Sequence, residues 1–282
     1  MNARDEKAQE TGSAGLFPPL HEGKWTDERQ ERLVMRASHG TGHAVAEPSL
    51  SHRLAAIDWS AVARALDDRG FAQLEGLLSA EECREIAGRY EDAGRYRSTI
   101  VMTRHGFGEG EYKYFAYPLP GIVASLRQAA YPHRAGVANR WAAMLGEEGR
   151  YPDSLDRFTR QCHAAGQRRP TPLILRYEAG GYNRLHQDLY GDLAFPLQMT
   201  ILLSVPGREF TGGEFILAEQ RPRMQSRAEV VPLARGDGVL FAVNERPVKS
   251  ARGYYRARMR HGVSTVRRGQ RTTLGIIFHD AK

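Results

Sequence analysis

The spacing of apolar positions divides the chain into three textures. Residues 1 to about 52 show no regular period. They are rich in Gly, Ser and charge and carry His39, His43 and His52, which reads as a flexible tail with at most a short helix over 27–37. From Asp58 the period becomes helical: Trp59, Val62 and Leu66 share one face, and Gly70 is placed to end the helix. A short strand over Phe71–Leu74 follows, and Ser79 with Glu82 three residues on predicts a capped helix to about residue 90. Further helices are expected over about 121–131, 135–145 and 154–164.

After Pro170-Thr171-Pro172 the period shortens to that of strands and stays so. Runs at 173–177, 199–205, 214–218, 229–233, 238–242, 261–266 and 271–279 are separated by glycine turns such as Arg235-Gly236-Asp237-Gly238. Many short strands without helices between them imply an antiparallel sandwich or closed roll. The expected class is α+β. After the tail, one domain is expected over 53–282, with residues 53–169 a mainly helical scaffold covering one sheet and residues 170–282 the β core.

The stretch 96–120 holds His105-Gly106-Phe107-Gly108-Glu109-Gly110 and Tyr112, Tyr114, Phe115 and Tyr117. Its glycines fit neither a dinucleotide nor a phosphate-loop fingerprint. A loop over an active-site mouth and a packed hairpin both suit this composition.

Charge adds a second layer. The formal net charge is +7 and the isoelectric point about 9.5, which allows contact with a polyanion. Arg252, Arg256, Arg258, Arg260, Arg267, Arg268 and Arg271 fall in one stretch without an acidic residue, with Tyr254 and Tyr255 interleaved. Such a segment suits phosphate contacts with base stacking, or a charged strand edge kept in solvent. The N-terminus lacks a signal-peptide core and no run reaches the roughly 18 apolar residues of a membrane span, so a cytoplasmic location is expected. Cys83 and Cys162 stand apart and read as packing thiols.

The candidate chemistry centres on Leu185-His186-Gln187-Asp188. In an extended segment, residues two apart share a side, so His186 and Asp188 can aim an imidazole and a carboxylate at one point. A third ligand would complete two histidines and a carboxylate on one face of a metal, leaving its other positions open. His261, opening the 261–266 run, is the candidate. Arg271, ten positions on, suits a bidentate grip on a carboxylate. Parity constrains the arrangement: in a plain hairpin with a two-residue turn at Arg268-Gly269, His261 and Arg271 face opposite ways. The chemistry requires the two strands to lie in opposing sheets, or a longer turn.

These residues resemble the iron(II)- and 2-oxoglutarate-dependent dioxygenases of double-stranded β-helix (jelly-roll) fold, over roughly 170–279. The resemblance implies His186, Asp188 and His261 as iron ligands, and Arg271 with Thr273 as the clamp for the distal carboxylate of 2-oxoglutarate. Thr211-Gly212-Gly213-Glu214-Phe215 looks like the Gly-Gly-Glu hairpin of the prolyl-hydroxylase-like branch. Arg176-Tyr177, Gly180 and the His186 segment stand at the spacing of AlkB-type nucleic-acid demethylases, which implies that Tyr177 touches the oxoglutarate. The chain departs from that pattern at Leu175, where those enzymes often use asparagine, and in its shorter interval from His261 to Arg271. With Asp188-Leu189-Tyr190-Gly191-Asp192 and the 219–225 segment, the whole chain is similar to a prokaryotic oxygenase family commonly labelled as acting on damaged nucleic acid. The implied reaction takes O2 and 2-oxoglutarate, releases succinate and CO2 and hydroxylates a C–H bond, with ascorbate as a stimulant.

Three functions follow as alternatives: demethylation of alkylated nucleic acid, hydroxylation of a peptide, amino acid or small metabolite, and a non-catalytic metal-binding jelly roll. Gln187 and Tyr190 flank the proposed metal and either meet substrate or pack. Arg221, Arg223 and Arg227 read as a basic loop, His279 as structural, and His105 and His163 have no partner visible in sequence.

Overall fold

The scaffold helices form where a cap and an apolar stripe coincide. In the computed structural model, which describes residues 48–148 and 151–282, Ser49 accepts from the amide of His52 and opens helix α1 (Leu50–Ala55). Helical structure thus begins inside the 1–52 stretch read as tail, because Leu54 is buried and Arg53 pairs with Glu82. The helix expected over 27–37, with His39 and His43, lies outside the described residues. Asp58 caps α2 (Trp59–Arg69), which Gly70 ends at φ 79°. Strand β1 (Phe71–Leu74) leads to α3 (Ala80–Gly88), opened by the full Ser79–Glu82 capping box.

The aromatic stretch is a hairpin. Strand β2 (Tyr96–Val101), the short β3 (Gly108–Glu109) and β4 (Glu111–Phe115) follow one another, β2 pairing antiparallel with β4. The two helices expected over 121–131 and 135–145 are one, α4 (Gly121–Met144), with Pro132 inside it. The proline leaves the carbonyl of Gln128 without its helical donor, and that residue is on the exposed side. Tyr131, Arg134, Ala135, Ala138 and Trp141 continue one buried face across the proline, so packing overrides it. Helix α5 (Leu155–Ala164) starts at the Ser154 cap.

From residue 170 on no helix occurs. The strands are β5 (Leu173–Tyr177), β6 (Tyr182–His186), β7 (Leu197–Leu202), β8 (Phe210–Gly212), β9 (Phe215–Gln220), β10 (Arg227–Val231) and β11 (Gly238–Ala242). They end with β12 (Glu245–Ser250), β13 (Gly253–Val263), β14 (Val266–Gly269) and β15 (Arg271–Ile276). One sheet runs β1-β11-β7-β15-β5-β4-β2, and the other β10-β9-β13-β6-β3 with β12 beside β13. The chain crosses repeatedly between the two sheets, at β5–β6, β6–β7, β10–β11 and β11–β12, with hairpins β9–β10 and β12–β13 within one sheet, and the β core is a double-stranded β-helix. Outward-facing Ile174, Ile201, Leu240 and Leu274 of the first sheet share a buried cluster with Leu66 and Leu126 of the helices. Phe215, Leu217, Val239 and Phe241 fill the inside of the sandwich. Each such side chain stabilises by roughly 1.5–3 kcal/mol through burial.

Two strand expectations are corrected. His261 does not open a strand. It lies near the end of the eleven-residue β13, whose exposed Arg256, Arg258 and Arg260 alternate with buried Ala257, Met259 and His261. Strand β6 was not expected as an element of its own, since Tyr-Asn-Arg-Leu-His has no apolar period. Residues Glu47–Lys282 form one compact unit. Among the described residues no helix is long and apolar enough to cross a membrane.

Candidate metal centre

The backbone brings the three expected ligands together by strand register. His186 ends β6 and stands opposite His261 of β13 across an irregular ladder that next pairs Val263 with Asn183. Asp188 follows two residues after His186 and is buried. The ligand atoms of His186, Asp188 and His261 all lie within 4.8 Å of one another. Both Nε2 atoms face the carboxylate, His186 at 3.5 Å from Oδ1 and His261 at 3.3 Å from Oδ2, and the two rings are 4.2 Å apart.

The electrostatics of this cluster call for a cation. His186 Nδ1 is 2.7 Å from the carbonyl of Arg184, which can only accept, so the Nε2 of the neutral ring carries a lone pair. That lone pair confronts a buried carboxylate. Burial works against charge on His186, yet the hydrogen bond and charge of Asp188 hold its pKa above the ordinary value. Burial would raise Asp188, but the two histidines keep it well below the usual carboxylate range. Burial, with His186 beside it, pushes His261 down. A divalent metal satisfies all three groups at once, and two histidines with one carboxylate are the donor set that leaves coordination positions open.

Arg271 completes the site from the opposite sheet. Between His261 and Arg271 the chain passes through β14, which pairs with β8 in a sheet of its own, so β13 and β15 lie in different sheets. The parity condition is met by the sandwich, and both residues line one cavity of about 190 Å³. Arg271 stands opposite Tyr177 across the β15–β5 ladder, with Tyr177 and Thr273 also fully buried. Among the described residues its only side-chain hydrogen-bond contact is Thr273 Oγ1 at 3.5 Å, and its Nε has no partner. Burial drives its pKa down to about 10, against the pull of Tyr177 and Glu214. A guanidinium so placed fits an incoming carboxylate, which 2-oxoglutarate provides. Gly213 makes room for it: a Cβ there would lie 2.8 Å from Arg271 Cδ and 2.9 Å from Val266 Cγ2, at φ +64°.

The remaining expectations sort by contact. Tyr190 donates to Asp188 Oδ1 at 2.7 Å. Gln187 reaches Asn244 Oδ1 at 2.7 Å and the Met259 carbonyl at 2.9 Å, which ties it to the protein. Arg221 and Arg227 pair with Glu219 and Glu229. His279 Nδ1 accepts from the Phe195 amide, and His163 meets Asp280 at 2.9 Å. Leu175 lines the cavity.

Two cavity residues were not singled out from the sequence. Gln198 is 6% exposed, and its Oε1 has no partner. Its signal was there to read: a carboxamide in Leu-Gln-Met-Thr-Ile-Leu, a strand buried on both faces, is costly without a ligand. Phe241 lies opposite Gln198 in register and packs on His261 at 4.7 Å between ring centres.

A family model covers the stretch that carries these residues. Residues 110–281 match the family model Oxygenase-NA, described as an oxygenase catalysing oxidative methylation of damaged DNA. An uncharacterized protein of Mycobacterium tuberculosis is 50% identical over 188 residues, 67% of this chain and 78% of that protein. Among solved structures, a Pseudomonas putida prolyl-4-hydroxylase is similar at TM-score 0.48 and 16% identity, covering 79% of this chain and 99% of that one. A 2OG-Fe(II) oxygenase family oxidoreductase of Burkholderia pseudomallei is similar at TM-score 0.43 and 18% identity, covering 80% and 93%. With a family model spanning more than half of its length, the chain belongs to the Oxygenase-NA family, described as an oxygenase.

Proposed function

We propose that the protein oxidatively removes a methyl group from an alkylated nucleic-acid base. In this reading His186, Asp188 and His261 hold iron(II), Arg271 with Thr273 holds the distal carboxylate of 2-oxoglutarate, and Tyr177 walls it in. The bound iron supplies the oxidising power for C–H hydroxylation as 2-oxoglutarate and O2 become succinate and CO2. The chain's own groups orient and protect. The Arg184 carbonyl fixes the His186 tautomer, Tyr190 occupies one carboxylate oxygen of Asp188, and Phe215 and Phe241 keep the cavity wall apolar. An N-methyl group hydroxylated there becomes a hydroxymethyl amine, which releases formaldehyde and restores the base.

The observation that carries the co-substrate assignment is Arg271, a fully buried guanidinium with an unpartnered Nε on the wall of the cavity that His186, Asp188 and His261 share. The substrate class is supported by the family description, which names damaged DNA, and by the net charge of +7. A cytoplasmic location, stimulation by ascorbate, an AlkB-like activity and a catalytic domain over 53–282 belong to the same reading. The test is a mass-spectrometric screen for succinate formation stimulated by alkylated oligonucleotides, peptides or amino acids. The expected stimulant is the alkylated oligonucleotide; stimulation confined to peptides or amino acids would overturn the substrate assignment.

A further inference from the structure

Phe107 lines the cavity and yet is 46% exposed, which puts it on the rim. It sits at the end of the short turn 102–107 between β2 and β3, and that turn is fastened to the strand bearing His186. The Phe107 carbonyl accepts from the Arg184 amide at 2.9 Å, and Gly108 pairs with Asn183. The ring is stacked with His105, at 5.3 Å between centres and 22° between planes, and His105 is itself exposed. Leu185 and Leu189, on either side of His186 and Asp188, are 48% and 52% exposed. The rim at Phe107 is therefore aromatic, and exposed leucines flank the candidate ligands in sequence.

Exposed charge of both signs lies close to Phe107 in sequence, with Glu109 two residues after it. The Arg184 side chain is exposed and touches only Tyr182, 3.4 Å from its hydroxyl and 5.7 Å from its ring centre. Arg104, one residue before His105, is also exposed, whereas the exposed Arg260 points to the outward face of β13, away from His261. Among the described residues none of the three forms an ion pair. A partner with a planar apolar face and an adjoining negative charge complements Phe107 and Arg184. The tyrosines expected to stack do not serve this role: Tyr254 and Tyr255 lie six or seven residues before His261, about 20 Å along β13.

We propose that Phe107, backed by His105, is the stacking platform for an unpaired base of single-stranded nucleic acid, and that Arg184 contacts the adjoining phosphate. This rests on nucleic acid as the substrate. A base held in a duplex cannot reach a cavity beneath this rim, whereas an unstacked base gains a ring to replace its lost neighbour.

The experiment measures anisotropy of a short fluorescein-labelled single-stranded DNA carrying one N-methylated base. The full-length protein, with manganese(II) and 2-oxoglutarate, is titrated over a range of salt. Phe107→Ala is expected to weaken binding roughly 5- to 150-fold with an unchanged salt slope, and Phe107→Trp to restore it. Arg184→Gln is expected to lower the log–log salt slope by about 0.7, the value for one single-strand phosphate contact. Melting temperatures check that the variants fold. If the wild type binds the strand but Phe107→Ala binds equally well, or Phe107→Trp fails to rescue, the platform is wrong while the substrate reading stands. If the wild type does not bind at low salt, yet still turns over 2-oxoglutarate with iron(II), platform and nucleic-acid substrate fall together and the oxygenase remains. Binding of a proline-containing peptide in place of the strand would have the same meaning.

Discussion

Replacing Arg271 by methionine should make the protein more stable and at the same time deaf to its co-substrate. The guanidinium is buried, its Nε has no partner among the described residues, and burial lowers its pKa to about 10, well below the ordinary arginine value. That drop corresponds to roughly 3 kcal/mol against the charged form. The Tyr177 and Phe210 rings, 5.7 and 6.0 Å from Cζ, return about 0.5–2 kcal/mol of cation–π attraction. Methionine keeps most of the volume without the charge, so Arg271→Met should stabilise the ligand-free protein by roughly 1–3 kcal/mol, or about 2–10 °C in melting temperature. The ligand-bound comparison runs the other way. With manganese(II) present and 2-oxoglutarate at a hundred times its Kd, the wild type should gain about 2.7 kcal/mol. The variant should gain none. Differential scanning fluorimetry with and without 2-oxoglutarate reads both effects. A 2-oxoglutarate shift in Arg271→Met equal to that of the wild type would refute the clamp. A lower melting temperature of the ligand-free variant would refute the claim that the guanidinium is held at a cost.

Other variants probe the neighbouring groups. Asp188→Ala and His186→Ala should abolish iron-dependent 2-oxoglutarate turnover measured as succinate; turnover within tenfold of wild type would exclude them as ligands. Tyr190→Phe, which removes the donor to Asp188 Oδ1, should weaken manganese(II) affinity roughly tenfold by calorimetry, and an unchanged affinity would make Tyr190 a wall residue. Gly213→Ala forces a left-handed backbone and a Cβ against the Arg271 stem. It should destabilise by roughly 2–4 kcal/mol and weaken 2-oxoglutarate binding, whereas lost stability with full affinity would reduce Gly213 to a turn residue. His279 is held neutral, its pKa lowered to about 4 by burial with Arg127 beside it, while the unfolded chain protonates near 6.5. Its contribution is therefore present above pH 6.5 and lost as pH falls toward 4, by roughly 3 kcal/mol. Urea midpoints of His279→Gln should fall less steeply over that window than those of the wild type, and parallel curves would reject the assignment.

The sequence exposes what burial on one face makes periodic and hides what function makes irregular. Strands β5 and β11 are legible end to end because their apolar runs are bounded by proline and glycine. Strand β13 is hidden by its own solubility: Arg256, Arg258 and Arg260 occupy every outward position, so a strand with buried Ala257, Met259 and His261 reads as a basic segment. Strand β6 is hidden for the opposite reason, since Asn183 and His186 face a cavity rather than a core. Helix α4 shows packing overriding a local rule at Pro132. The candidate ligands and Arg271 stood out in the sequence through their residue types and order. Their convergence did not, because it depends on the chain changing sheets at β14, and neither parity nor spacing can fix that crossing.

Burial of arginine by itself would not have singled out Arg271. Four arginines in the described residues are nearly inaccessible, and their surroundings separate them. Arg127 is closed by Asp280 at 2.8 Å and by the carbonyls of Ile277 and Phe278, and Arg246 by Glu219. Both are internal pairs that lock elements together. Arg134 bonds the Ala130 carbonyl and lies over the Trp59 and Phe278 rings, 4.8 and 5.4 Å from their centres, so aromatic faces take the place of an anion. Among the described residues Arg271 has no ion-paired carboxylate, its nearest rings, Tyr177 and Phe210, lie 5.7 and 6.0 Å away, and of the four it is the one that lines the cavity. A buried charge with no internal counterpart is tolerated where the counterpart arrives from outside, and here the wall it stands on faces two histidines and an aspartate. The guanidinium and the His186, Asp188 and His261 cluster line the same cavity, a pairing that suits one anion and one metal. An oxoacid that binds a metal at one end and carries a carboxylate at the other suits both.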